Sequence, residues 1–103
     1  MSNPPVVLDT NVFNYPDIVR WLRDYRADKY LPAVAYMELA IVYYARDGSL
    51  IKLDSMLRSA DIEKKDFDIH QAQTCALFIE EKRVHKDRWK DCMIAAYAVI
   101  RAA

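Results

Sequence analysis

Glycine is almost missing from this chain, Gly48 being the single one in 103 residues. Loops that cradle phosphates need several glycines so that backbone N–H groups can approach the ligand closely. A P-loop and a dinucleotide-binding fingerprint are therefore excluded. Net charge is missing too, since fifteen Lys and Arg offset fifteen Asp and Glu. No whole-molecule field draws the protein to nucleic acid or to acidic lipid, and any polyanion must be met by a local patch. Cysteine is sparse: Cys75 and Cys92 stand inside apolar helical patterns, with neither metal-ligand spacing nor the density of a disulfide scaffold. They read as free thiols of a reducing cytosol, which makes a cytoplasmic location the expectation. No run of about eighteen uncharged apolar residues occurs, and Met1 to Pro5 carries no basic stretch leading into an apolar one. Neither secretion nor membrane spanning is expected.

What is present is the balance of a packed globular protein, with 53% of residues apolar and 29% charged. The length suits one domain, taken as residues 1–103, with a single modest core. Pro5-Val6-Val7-Leu8 is a continuous apolar run ending at Asp9, the pattern of a strand buried on both faces of a parallel sheet. Pro16-Asp17 opens a helix whose apolar positions are Ile18, Trp21, Leu22 and Tyr25. Tyr30 to Val34 reads as a second strand. From about Ala35 to Tyr44 the chain is apolar almost all round, which predicts a central, buried helix.

Gly48-Ser49 supplies a helix stop and a fresh N-cap for a helix over roughly Leu50 to Arg58. Ile62 to Phe67 is a short strand or a loop. Asp68 with Gln71 forms a capping-box variant at the start of a helix with apolar face Ile69, Ala72, Cys75, Ala76 and Ile79. Asp87 is positioned to cap the last helix, where Trp89, Cys92, Met93, Ala96, Val99 and Ile100 keep the 3.6-residue period. Short apolar runs alternating with helices give an α/β layer fold with a parallel sheet.

Three carboxylates stand where a core is otherwise expected. Asp9 ends the first strand, at the edge where open α/β sheets place ligands, although a turn-forming Asp fits there as well. Glu38 is the only charged residue from Leu31 to Tyr44, and a buried carboxylate is costly unless paired with an Arg or bound to a cation. Asp91 lies one turn into the final helix beside its apolar face, or else is simply solvated. Convergence of all three would create strong repulsion, roughly 4 kcal/mol for a pair about 4 Å apart at a dielectric near 20. A divalent cation relieves it. Oxygen ligands with open water positions suit Mg²⁺ or Mn²⁺, and such a metal activates water for hydrolysis of RNA or DNA.

Val7-Leu8-Asp9-Thr10-Asn11-Val12 resembles the opening motif of the PIN-domain nucleases. Met37-Glu38-Leu39 is similar to their second acidic motif, and Asp91-Cys92-Met93-Ile94-Ala95-Ala96 to their third, in matching order and spacing over nearly the whole chain. The resemblance implies a three-layer α/β/α fold around a short parallel sheet. It also implies a Mg²⁺- or Mn²⁺-dependent endoribonuclease acting on single-stranded or structured RNA, often the VapC-like toxin of a type II toxin-antitoxin pair. An antitoxin protein and a homodimer follow as partners. Asp9, Glu38 and Asp91 are then the catalytic metal ligands, supported by Thr10 and Asn11.

Family members usually continue past the third motif into a further strand with another Asp. Here the expectation is either a truncated form, C-terminally short, or one in which Asp87 or Asn11 partly replaces that acid, and loss of that strand would leave the first strand with an uncovered edge.

The one basic stretch runs from Lys82 to Lys90 and holds Lys82, Arg83, Lys86, Arg88 and Lys90 beside His85 and Trp89. These cations would position RNA through its phosphates, with Trp89 stacking on a base or facing the core. His85 is a weaker candidate for a general base. Two other functions compete. Aspartyl phosphatases of the haloacid-dehalogenase type also begin with a strand ending in Asp, but they need a second Asp where this chain has Asn11. A catalytically impaired PIN-like module would instead bind protein or RNA, using apolar positions such as Tyr43, Tyr44 and Tyr97.

Overall fold

The computed structural model describes residues 3–102, with side chains as far as residue 96. Tyr97, Val99 and Ile100 therefore have side chains outside the described residues. Contacts divide the chain into two compact units that meet between Lys65 and Asp66.

The first unit is built on a three-stranded parallel sheet of order β1-β2-β3, formed by Val6–Val7, Lys29–Pro32 and Ile62–Lys65. Ile62 to Lys65 thus resolves as a strand. The central strand, β2, is buried along its whole length, and Leu31 is completely shielded. β1 is only two residues long and half-buried at the sheet's edge, rather than enclosed on both faces; Leu8, just beyond it, carries the burial. The Leu8 N–H donates to the Tyr30 carbonyl at 2.8 Å, so the chain stays in register with β2 up to the residue before Asp9.

α1 (Pro16–Asp24) takes the chain from the carboxyl end of β1 back toward the start of β2. It buries Leu22, while Trp21 stays exposed and lies against Tyr25 with ring centroids 4.7 Å apart. Its last carbonyls are satisfied from an unexpected source. Lys29, 2% exposed, donates its amine to the Leu22 carbonyl at 2.6 Å and to the Tyr25 carbonyl at 3.2 Å. A cation at a helix carboxyl end meets both unpaired carbonyls and the negative end of the dipole, which makes burial of the ammonium tolerable.

α2 (Ala33–Asp47) begins directly after Pro32 and ends at Gly48, whose φ of +67° is the left-handed cap that glycine adopts without strain. The Ser49 hydroxyl then accepts from the Ile51 N–H at 3.1 Å as α3 (Ile51–Ser59) opens. The expectation that α2 is buried all round does not hold. Ala35 and Leu39 are its buried residues, whereas Met37, Ile41, Val42 and Tyr44 are all more than half exposed. One helix face suffices to cover so short a sheet, so the remaining apolar side chains stand outside.

In the second unit, α4 (Ile69–Lys82) starts with the expected reciprocal cap. The Gln71 N–H donates to Asp68 Oδ1 and the Asp68 N–H to Gln71 Oε1, both at 2.8 Å. α5 (Trp89–Ala102) packs on α4, and Ala72, Cys75, Ile79, Trp89 and Met93 line an apolar cleft of about 320 Å³ beside them. Both cysteines are free thiols; burial, and then the neighbouring Cys92, push the Cys75 pKa up.

Asp87 does not cap α5. It sits inside a 3₁₀ turn, Lys86–Arg88, where its N–H donates to His85 Nδ1 at 3.2 Å. The turn consumes the residue that simple helix-start spacing assigned to the cap.

Candidate active site

β1 ends where the sheet's carboxyl edge begins, and Asp9 turns the chain out of it. Its backbone is extended, and its Oδ1 accepts from the Thr10 N–H at 2.5 Å, capping the 3₁₀ turn Thr10–Asn14. The turn-forming role open to this residue is therefore real, but it occupies one carboxylate oxygen. The other makes no hydrogen bond or ion pair among the described residues.

The same threonine reaches the second acid. Thr10 Oγ1 donates to Glu38 Oε1 at 3.1 Å across 28 positions of sequence. Glu38 projects from the second turn of α2 and is half-buried. Two carboxylates are thus tied to a single residue, one through its backbone and one through its side chain. Two ionised carboxylates drawn to one residue repel each other. The hydroxyl's single proton offsets only part of that. Hard oxygen donors, one of them with a free lone-pair face, fit Mg²⁺ or Mn²⁺. Within either unit, among the described residues, no three His, Cys, Asp or Glu side chains cluster as a ready-made metal cage.

Asp91 belongs to the second unit. It lies exposed in the first turn of α5, and its Oδ2 accepts from Arg88 Nε at 3.2 Å. An exposed pair of this kind contributes about 1 kcal/mol or less and is readily exchanged. A solvated side chain is the alternative that the sequence offers for Asp91, and it does not anticipate this pairing. Asn11 is exposed in the 3₁₀ turn after Asp9. Asp87 is exposed too and lies 3.4 Å from His85 Nδ1, so His85 is engaged in shaping its own turn.

Lys82, Arg83, Lys86, Arg88 and Lys90 are all exposed around the α4–α5 connection. Trp89 is 43% exposed; it lines the apolar cleft and donates its indole N–H to the Val84 carbonyl at 3.3 Å.

A family model for the PIN domain matches residues 6–103. The chain belongs to the PIN-domain family. No curated protein and no solved structure gave a significant match. PIN domains are typically Mg²⁺-dependent nucleases, and the three-stranded parallel sheet with its helices agrees with a small PIN-like α/β fold. No helix among the described residues is long and apolar enough to cross a membrane.

What the sequence did not reveal in this PIN domain is the joining role of Thr10, because a contact 28 residues apart leaves no local periodicity. Removing its hydroxyl tests that role. The Thr10→Val variant is expected to bind Mn²⁺ about 10- to 100-fold more weakly in calorimetric titration, as loss of a ligand-orienting hydrogen bond does. Thr10→Ser should restore the affinity. Unchanged Mn²⁺ affinity in Thr10→Val would reduce the hydroxyl bond to a structural tie between the 3₁₀ turn and α2.

Proposed function

We propose that this PIN domain is a Mg²⁺- or Mn²⁺-dependent endoribonuclease, with Asp9, Glu38 and Asp91 as the metal-holding carboxylates. The observation that carries the reading is the Asp9–Thr10–Glu38 linkage at the carboxyl edge of the sheet. Asp91, whose present partner is Arg88, is assigned as the third acid on the resemblance of its motif. A metal bound there supplies a Lewis acid for the phosphodiester and a more acidic water. Thr10 orients Glu38; by the resemblance, Thr10 and Asn11 would help orient the metal or its waters, and Asp87 or Asn11 would partly replace the family's further acid. Lys82, Arg83, Lys86, Arg88 and Lys90 hold RNA by its phosphates without reading sequence, and Trp89 offers a stacking face.

The toxin role in a toxin-antitoxin pair rests on the resemblance of the three motifs. A protein partner, antitoxin or second copy, has an apolar landing stripe in Met37, Ile41 and Tyr44, spaced along one face of α2. Free Cys75 and Cys92 suit a cytoplasmic site of action.

The test is cleavage of a labelled single-stranded RNA by the purified chain. Cleavage is expected with Mg²⁺ or Mn²⁺ and not with EDTA, and either metal should raise the melting temperature. If neither cleavage nor metal stabilisation occurs, the chain is a binding module that keeps the fold without the chemistry.

A further inference from the structure

α3 and β3 enclose a cleft of about 370 Å³ that the metal-centred reading leaves unused. Leu57 and Ile62 form its floor, and Asp54, Arg58 and Lys64 form its rim. The rim is partly fixed. Tyr36 donates its hydroxyl to Asp54 Oδ1 at 2.9 Å, and Lys64 Nζ lies 3.6 Å from the same oxygen and 5.2 Å from the centre of the Tyr36 ring. Burial, and then Asp54 beside it, raise the Tyr36 pKa, which keeps the phenol a donor. Arg58 is exposed and makes no ion pair among the described residues. Two cations therefore face one carboxylate over an apolar floor. A ligand with an anionic group and a flat apolar part satisfies both.

Position selects which such ligand. Val7 pairs with Tyr30 and Tyr30 with Glu63, so these three residues stand level across the parallel sheet. Asp9 and Lys65 each lie two residues further on, and Lys64 is one step short of that edge. With strands about 4.8 Å apart, the end of β3 is roughly 10 Å from the Asp9 position, the length of about three stacked nucleotides. An acidic peptide would match the charge but has no reason to cross the carboxylate edge of the sheet.

We propose that the α3–β3 cleft is a substrate subsite, in which Arg58 and Lys64 grip a backbone phosphate about three nucleotides from the scissile bond while Leu57 and Ile62 receive the attached nucleoside. The proposal rests on the nuclease reading but concerns binding alone. Arg58 and Lys64 touch no reacting atom, and their loss weakens binding without slowing chemistry.

The experiment measures affinity of the full chain for a fluorescein-labelled, mixed-sequence single-stranded RNA over a range of salt in EDTA, alongside steady-state cleavage in Mn²⁺. For Arg58→Gln/Lys64→Gln, the slope of log affinity against log salt should fall by about 0.7, since the one single-strand phosphate that the two cations share is no longer neutralised. KM should rise at least fivefold with kcat unchanged. Arg58→Gln alone, on an exposed helix position, should lower the slope by less than the double variant does. Wild-type cleavage together with unaltered slope and KM in both variants overturns the subsite and spares the nuclease reading. A wild type that neither binds nor cleaves RNA overturns both. Equal binding of a poly-glutamate peptide, lost in parallel in the double variant, overturns it in favour of a protein-docking cleft.

Discussion

Asn in place of Asp9 should lower Mn²⁺-dependent RNA cleavage by at least about a hundredfold, while leaving the melting temperature of the metal-free chain within a few degrees. The two oxygens of this side chain do different things. Oδ1 accepts from the Thr10 N–H, and the amide oxygen of Asn is able to take over that bond, so the 3₁₀ turn survives. The second oxygen has no partner among the described residues, and in Asn it becomes an NH₂ group that cannot ligate a cation. The substitution therefore removes one metal ligand and one negative charge without removing the structural cap. Loss even of an outer partner of a metal ligand typically costs 10- to 100-fold, so a lost ligand belongs at or beyond the upper end. Metal-induced stabilisation should shrink in the same variant. Retained cleavage with retained metal response would mean that the reacting metal lies elsewhere and that Asp9 serves only its turn.

How much of this was legible in the sequence depends on whether the signal was local. The Asp68–Gln71 cap, the Gly48 stop and the existence of α1 and α4 rest on signals within a few residues, and the structure has them as read. Of the apolar faces read for those two helices, however, Ile18, Trp21 and Ile69 stand exposed. The exposed face of α2 was not legible. A helix in which nearly every residue is apolar carries no information about which side meets the sheet. Lys29 was missed for the opposite reason: lysine is rarely buried, and only the return of the chain beneath the end of α1 gives its ammonium the carbonyls it needs. Asp87 was assigned a cap because Asp before an apolar period usually is one, but His85 caps a 3₁₀ turn ahead of the helix and Asp87 falls inside that turn. At the site, Asp9 and Glu38 stood out as charges out of place, and both attach to Thr10. Arg58 and Lys64 did not stand out, because isolated cations on an exposed helix and a strand end look like solvated surface until a cleft is found between them.

The largest loss of stability is expected from Leu31→Ala. Leu31 is fully shielded at the middle of the central strand. Its partners across the sheet are held by ladders on both sides, so the backbone cannot collapse into the space that truncation leaves. A Leu-to-Ala change in such a site costs the transfer energy of the removed atoms plus a cavity term, together about 3–5 kcal/mol. That is a large fraction of the roughly 5–15 kcal/mol that holds a typical domain together. At about 4–8 °C per kcal/mol for a chain near this size, the melting temperature should fall by roughly 15–30 °C. Ile41→Ala is the internal comparison, because Ile41 is 61% exposed on α2 and should lose less than about 1 kcal/mol. Chemical denaturation of the two variants measures the difference directly. Equal losses would mean that the core does not lie on β2. Under conditions where Leu31→Ala remains folded, its Mn²⁺ affinity should stay within about twofold of the parent, because the position of Asp9 follows from the backbone bond between Leu8 and Tyr30 rather than from the Leu31 side chain.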